Sequence, residues 1–131
     1  MTGLFSGRFD DPHLGHWGSI LKLLKVFEKL KVVVLDYDGR AHSAYYVARV
    51  FETLAVLSNI DKDRLQVLVN KTHFAKMERS EWSAYEADIY IGGNQEVNDH
   101  MRSKFIPVLE WDRTFDFSAR NYKKESIMDN P

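Results

Sequence analysis

Cysteine is absent from this chain of 131 residues, and its absence removes several chemistries. Without thiols there is no disulfide, no thiolate-bound metal and no cysteine nucleophile. No apolar run approaches the roughly 20 residues that a membrane-spanning helix needs. No basic-then-apolar leader opens the sequence either. These two observations lead us to expect a cytoplasmic protein with no membrane partner.

An excess of charge of one sign is also lacking. Lysine and arginine number 18 and aspartate and glutamate 19, which gives a formal net charge of -1. This balance offers no bulk attraction to nucleic acid or to an anionic membrane, so neither partner is expected. The chain is 44% hydrophobic and 28% charged, which is typical of a folded globular protein. Its length suits a single domain over residues 1–131.

Apolar, β-branched stretches alternate along the chain with stretches in which apolar residues recur at helical spacing. Strands are predicted at the segments TGLFSG, KVVVLDYD, LQVLVN, ADIYIGGN and IPVLEW. Helices are predicted over residues 16–30, 44–58, part of 72–87 and 95–105, and from Ser118 onwards. This alternation predicts the α/β class, as a Rossmann-like, doubly wound, five-stranded parallel sheet with helices on both faces.

The first predicted helix has an apolar side and a basic side. Its apolar residues recur at helical spacing and are expected in the core: Trp17, Ile20, Leu21, Leu24 and Phe27. Its lysines are expected on the solvated side: Lys22, Lys25 and Lys29. Three further aromatic residues are expected in the core or in a dimer contact rather than against a base: Trp82, Tyr85 and Trp111.

Ligands of doubly wound sheets bind at the carboxyl ends of the strands, near the switch in strand order. Functional residues are therefore expected directly after each predicted strand. The stretches in question are residues 7–16, 36–43, 70–74, 92–96 and 112–120. Asp36 is a candidate substrate-binding residue because it ends the second predicted strand at this edge.

The segment GRFDDPHLGH, residues 7–16, contains two histidines three positions apart. His16 falls near the start of the first helix, where free amides and the positive end of the helix dipole favour an anion. His13 and His16 together can donate hydrogen bonds to phosphate oxygens and stabilise charge in phosphoryl transfer.

Two other interpretations of the histidine pair stay open at this point. A zinc site would need a third ligand, for which Asp10 or Asp11 is available, while the other histidines are scattered along the chain. A structural role for the imidazoles is the second alternative. The position of the pair between a strand and a helix favours phosphate.

The same segment resembles the opening signature of the cytidylyltransferase-like nucleotidyltransferase superfamily. The matching residues are Gly7, Phe9, Asp10, His13, Gly15 and His16. A second segment, RTFDFSARNYK, resembles the signature near the C-terminus of that superfamily through Arg113, Thr114, Ser118 and Lys123. In length and in this second segment the chain is most similar to the glycerol-3-phosphate cytidylyltransferases. Its opening GRFD is closer to that of the nicotinamide-mononucleotide adenylyltransferases.

The resemblance implies an enzyme that transfers a nucleoside monophosphate, with CMP favoured, from a nucleoside triphosphate to a small phosphorylated acceptor. Pyrophosphate is released, Mg²⁺ is the cofactor, held mostly through phosphate and water near Asp10, and a homodimer is expected. The implied catalytic residues are His13, His16, Arg113 and Ser118. The implied nucleotide-binding residues are Gly7, Arg8, Phe9, Asp10, Gly15, Gly92, Gly93, Asn94, Arg120 and Lys123. Arg49 occupies the position of a substrate-contacting arginine.

Two departures from the family pattern keep other functions open. Arg120 stands where the family has threonine, and the loop DYDGRAHS lacks the paired lysines expected to clamp a triphosphate, for which Arg40 is the available substitute. One alternative is an adenylyltransferase that acts on nicotinamide mononucleotide or a similar acceptor. Another is a non-catalytic nucleotide-binding or sensing module, and a metal-dependent hydrolase is the third.

Overall fold

The computed structural model describes residues 1–12 and 14–111. The strands are β1 Thr2–Gly7, β2 Lys29–Leu35, β3 Leu65–Asn70, β4 Ile89–Gly92 and β5 Val108–Glu110. The α-helices are α1 Leu14–Val26, α2 Ala44–Leu57, α3 Arg79–Ser83 and α4 Gln95–Ser103, and a 3₁₀ turn spans Phe74–Lys76. No helix in this part of the chain combines the length and apolar character needed to cross a bilayer.

All five strands are parallel and form one sheet in the order β3-β2-β1-β4-β5. This confirms the predicted α/β class and the Rossmann-like sheet. Strand β1 lies at the centre, where Phe5 is in register with Val32 of β2 and with Ile91 of β4. The strand order reverses between β1 and β4, and this switch point is where such sheets bind ligands.

Two hydrophobic clusters cover the two faces of the sheet. Phe5 belongs to the cluster beneath α1 and α2, and the preceding residue, Leu4, belongs to the cluster beneath α3, α4 and the 3₁₀ turn. Successive side chains of a strand point to opposite faces, so a strand covered on both faces is apolar at every position. The run Val32–Leu35 follows this rule, since all four residues are buried.

The boundary between α1 and β2 differs from the sequence prediction. The helix ends at Val26 rather than at residue 30, and Lys29 begins β2 instead of marking the wet side of the helix. Arg64, directly before β3, donates to the carbonyl oxygens of Phe27 (3.2 Å) and Glu28 (3.1 Å), and also to that of Leu24. The last carbonyls of a helix lack intrahelical partners, and here Arg64 donates to one of them, that of Leu24, and to two carbonyls just beyond the helix.

Two further details correct the prediction. In α1, Leu23 is buried while Leu21 is 37% exposed, so the apolar stripe includes 23 rather than 21. In α2, which begins at the predicted residue, helical spacing from Val47 and Phe51 predicts that Leu57 lies on the same apolar side, but Leu57 is exposed. Trp82 lies in the core, as expected.

Candidate functional site

The loops after β1, β2 and β4 meet at the carboxyl edge of the sheet. Ser6 near the end of β1 and Tyr90 of β4 join the two strands across the switch point through a 2.7 Å hydrogen bond between their hydroxyl groups. The end of β5 joins the same edge, where the Trp111 amide donates to the carbonyl oxygen of Gly92 at 2.9 Å. The residues that follow these strands are therefore near neighbours.

Phe9 sets the shape of the loop between β1 and α1. Its backbone has φ 43°, a left-handed conformation that is strained for a residue with a Cβ. Its ring is buried and lies beneath Gly7, where a Cβ atom would come within 2.8 Å of the ring. Glycine at position 7 is thus required for the loop to fold back over the ring.

His16 lies in the first turn of α1 and is half-buried. Its imidazole packs edge-to-face against the Phe9 ring, with the ring centres 5.0 Å apart and the planes at 86°. Phe9 in turn packs on Phe51 of α2 at 5.2 Å, also edge-to-face. The imidazole is therefore positioned at the N-terminal end of α1 by an aromatic ring that the core holds in place.

Arg40 ties the loop after β2 to the loop after β1. Its guanidinium donates to the carbonyl oxygens of Arg8 (2.6 Å) and Phe9 (3.2 Å) in one loop. It also donates to those of Leu35 (2.6 Å) and His42 (2.7 Å) on either side of it in the other loop. The sequence suggested Arg40 as a substitute for lysines that clamp a triphosphate. Its hydrogen bonds do not show that role, because four N–H groups of its guanidinium already donate to the backbone.

A second bond and an aromatic contact reinforce this connection. The Ala41 amide donates to Asp10 Oδ1 at 2.8 Å. The guanidinium groups of Arg8 and Arg40 lie 5.4 and 5.2 Å from the centre of the Tyr37 ring, within range of cation–π attraction. Arg8 itself is exposed, so a cationic group faces the solvent at this edge.

The glycine turn after β4 has a structural explanation. A Cβ atom at Gly92 would come within 2.5 Å of both Asn98 Oδ1 and the Tyr90 ring, so only glycine fits. Asn94 caps α4 by accepting a hydrogen bond from the Val97 amide at 3.1 Å. Asn98 donates through Nδ2 to the Gly92 carbonyl at 2.9 Å, and within the described residues its buried Oδ1 has no partner.

The structure brings together most of the predicted site residues that it describes. Those in or beside the loop after β1 are Gly7, Arg8, Phe9, Asp10, Gly15 and His16, and those after β4 are Gly92, Gly93 and Asn94. Asp36 directly follows β2, while Arg49 is an exposed residue in the second turn of α2. The remaining predicted residues lie outside the described part of the chain: His13, Arg113, Ser118, Arg120 and Lys123.

Trp111 shows where the chain leaves the sheet. Its indole Nε1 donates to Ser19 Oγ of α1 at 3.1 Å, and its ring packs edge-to-face on Phe5 at 6.4 Å. Ser19 lies one helical turn after His16. The last described residue is thus attached to the helix that carries the candidate site, and it packs against the core as expected.

One tyrosine near this edge has a shifted acidity. Burial raises the pKa of Tyr85, the nearby negative charge of Glu81 adds to that rise, and a hydrogen bond from Asn70 at the end of β3 opposes it. The raised pKa keeps the phenol protonated.

The described part of the chain offers no ready-made metal cage, because within residues 1–12 and 14–111 no three His, Asp or Glu side chains are grouped around one point. Asp10, half-buried in the β1–α1 loop, is a carboxylate of the candidate site. Magnesium is commonly held by one or two carboxylates together with substrate phosphates and water. A single carboxylate at this position fits that mode of binding.

Comparison with known proteins gives the fold but no sequence family. No family model matches the chain, and no curated protein sequence matches it significantly. Two solved structures, both of a bifunctional NMN adenylyltransferase/ADP ribose pyrophosphatase from Francisella tularensis, superpose with TM-scores of 0.67 and 0.68. Sequence identity is 16% and 15%, and the first of these structures contains AMP and a manganese ion.

Each of these matches covers 94% of this chain and 40% of the solved chain. The fold is therefore similar to that of part of this bifunctional protein, and an identity this low shows similarity of the fold alone.

Proposed function

We propose that this protein transfers a nucleoside monophosphate from a nucleoside triphosphate to a small phosphorylated acceptor. The observation that carries this proposal is His16, an imidazole in the first turn of α1, beside the switch point of a Rossmann-like sheet. Free amides and the helix dipole favour an anion at this position, and the imidazole adds a donor. The fold similarity to an NMN adenylyltransferase supports the same activity.

The chemistry is a direct displacement at phosphorus. An oxygen of the acceptor phosphate forms a bond to the α-phosphorus while the bond from that phosphorus to the bridging oxygen breaks, and pyrophosphate leaves with the electron pair. The nucleophile is already an anion, so no general base is needed. Catalysis then rests on positioning and on stabilising charge. His16 donates to the phosphate oxygens, and the glycines at 7 and 15 let the backbone approach them.

The segment after Trp111 is proposed to complete the phosphate site. Arg113 is two residues beyond Trp111 in the sequence, and Trp111 donates a hydrogen bond to Ser19 of α1. We assign Arg113 and Ser118, with Arg120 and Lys123, to the phosphates. His13 takes the same role as His16.

The remaining roles belong to the neighbouring loops. The turn at Gly92–Asn94 is proposed to contact the nucleotide, and Asp36 and Arg49 the acceptor. Arg8 adds an exposed positive charge near the phosphates. Mg²⁺ would be held by Asp10 and by phosphate oxygens, and when bound it neutralises developing negative charge.

Different observations favour two nucleotides. The opening GRFD and the AMP-containing solved structure favour ATP with nicotinamide mononucleotide or a similar acceptor. The length of the chain and the segment RTFDFSARNYK favour CTP with a polyol or alcohol phosphate. The homodimer implied by the second group is part of this proposal, and light scattering of the purified protein measures it.

A pyrophosphate-release screen tests the proposal. ATP, CTP, GTP and UTP are each combined with Mg²⁺ and a panel of phosphorylated acceptors, and one pair is expected to turn over. His16→Ala should lower kcat by about 10²-fold or more, as for other transition-state donors. His100→Ala is the matched control, because this imidazole instead contacts the Met77 carbonyl, away from the site.

The outcomes separate the candidate classes. Turnover that His16→Ala leaves intact would contradict the central assignment. Nucleotide binding with no turnover for any acceptor would favour the non-catalytic module, for which Arg120 and the missing lysines argue. Turnover with water alone would favour a hydrolase.

A further inference from the structure

Arg40 lies in the β2–α2 loop, and its guanidinium donates to the backbone carbonyls of Arg8 and Phe9 in the loop after β1. The Ala41 amide of the same β2–α2 loop donates to the Asp10 side chain. We infer that Arg40 is a positioning residue: its guanidinium fork holds the loop after β1 in the conformation that places Phe9 against His16. This inference rests on the proposed function for its catalytic consequence, but not for its structural part.

The backbone conformation at Phe9 sets the directions of the carbonyls that Arg40 binds. In an extended segment successive carbonyls point to opposite sides, whereas in a helical turn of either hand they point the same way. The left-handed turn at Phe9, with φ 43°, turns the carbonyls of Arg8 and Phe9 towards one guanidinium. The hydrogen bonds of Arg40 thus favour a backbone conformation that an aromatic residue would otherwise avoid.

The shape of the arginine side chain suits this position. Arginine presents five N–H groups in a rigid planar fork, and Arg40 uses four of them on four carbonyls. Lysine has three donors on a compact ammonium group and cannot span acceptors in two loops in the same way. The ion pairs within residues 1–12 and 14–111 do not include Arg40, so its geometry rather than a carboxylate partner explains its position.

A chain of contacts links Arg40 to the candidate catalytic residue His16. Arg40 binds the Phe9 carbonyl, the Phe9 ring packs on the His16 imidazole, and His16 stands at the N-terminal end of α1. A loss of the fork would release the loop and displace the imidazole without removing any group that touches substrate. Displacements of about 1 Å can lower rates by as much as about a hundredfold.

The chain supplies a matched control. Arg64 also binds the backbone alone, donating to three carbonyls at the end of α1 and in the short connection to β2, at the opposite edge of the sheet. Its loss should lower the melting temperature without moving His16. Comparing Arg40 with Arg64 therefore separates positioning of the site from general stabilisation.

The experiment uses four variants, Arg40→Lys, Arg40→Ala, Arg64→Lys and Arg64→Ala. Two quantities are measured below the melting temperature of each: the NMR signals of the His16 imidazole in protein with labelled histidine, and kcat/KM with the nucleotide and acceptor found in the screen. Both Arg40 variants should shift the His16 signals and lower kcat/KM by roughly ten- to a hundredfold, as expected for a displaced imidazole. Both Arg64 variants should resemble the wild type.

Each other result has a defined meaning. If Arg40→Lys behaves like the wild type, positive charge is sufficient and the inference is wrong. It is also wrong if the Arg64 variants shift His16 equally, or if His16 is unchanged when Arg40 is replaced. Should Arg40→Ala fail to fold, Arg40→Lys decides. If the wild type itself neither binds nor turns over ATP or CTP, the proposed function fails, while the His16 signals still test the positioning role.

Discussion

Replacing Phe9 by alanine and by glycine separates the two contributions of this residue to stability. Its ring is buried against Phe5 and Phe51, so either replacement costs about 3–5 kcal/mol in lost packing. Its backbone has φ 43°, a conformation that costs an L-residue about 1–2 kcal/mol and glycine almost nothing. About 0.4–1 kcal/mol of this advantage is offset, because glycine raises the conformational entropy of the unfolded chain. Phe9→Gly should therefore be more stable than Phe9→Ala by about 0.5–1 kcal/mol.

Phe51 provides the matched control, because its ring contacts that of Phe9 but its backbone is helical. In a helix glycine is less stable than alanine by about 0.5–1 kcal/mol, so the order of the two variants should be reversed there. Urea-induced unfolding of the four variants with a common m value measures the differences. If Phe9→Gly unfolds at a lower urea concentration than Phe9→Ala, the left-handed conformation is not a source of strain and the reasoning fails.

Three further changes test other parts of the structure. Gly92→Ala should cost about 1–3 kcal/mol, because the added Cβ would lie 2.5 Å from Asn98 Oδ1, and a loss below about 0.5 kcal/mol in thermal unfolding would contradict that close approach. Tyr85→Phe tests the raised pKa: the folded wild type retains the phenol proton where the unfolded chain loses it. The stability supplied by Tyr85 is thus complete below the ordinary tyrosine pKa of 10.0 and is lost as pH rises above it. The wild type should therefore lose more free energy of unfolding than the variant over that pH range. Curves of unfolding free energy against pH that run parallel for the two proteins would refute this. Trp111→Phe removes the donor to Ser19, and a double-mutant cycle with Ser19→Ala should give a coupling of about 0.5–1.5 kcal/mol, whereas zero coupling would indicate that the bond does not hold the end of β5 to α1.

The fold was predictable because its central strands are buried on both faces and are apolar at nearly every position. The run Val32–Leu35 is apolar throughout, the edge strand Leu65–Asn70 is apolar except at Gln66 and Asn70, and the stretches between strands have helical periodicity. The predicted bounds of β1 and β3 agree with the structure, and so does the start of α2. Local pattern and tertiary structure agree at these elements, and this agreement makes the pattern informative.

The end of α1 was not predictable in the same way. Residues 27–30 continue the helical pattern, but Leu30 pairs in the sheet with Gly3 and Leu65, and Arg64 donates to the carbonyls of Phe27 and Glu28 directly after the helix. These partners are distant in sequence, so the helix propensity of the segment itself does not indicate them. Tertiary pairing here overrides a helical preference that is weak by comparison.

The candidate site was predictable in its location and less so in its construction. The position of His16 after the first strand follows from the fold class, and the loops after β1 and β4 meet at the expected edge. The left-handed backbone conformation of Phe9 could not be predicted from the sequence, because phenylalanine avoids that conformation. The role of Arg40 was equally hidden, because its acceptors are backbone carbonyls, which every residue possesses.

The central position of β1 has a consequence for the synthesis of the chain. Thr2 is bonded to Asp88, 86 residues later, directly before the strand that completes the β4 side of β1. At about 5–20 residues per second, a ribosome needs roughly 4–17 seconds to make that distance. During this interval β1 can pair with β2 but exposes its other edge, and the two glycine loops of the candidate site stay apart. The proposed nucleotide site is therefore expected to form only after β4 has left the ribosomal tunnel.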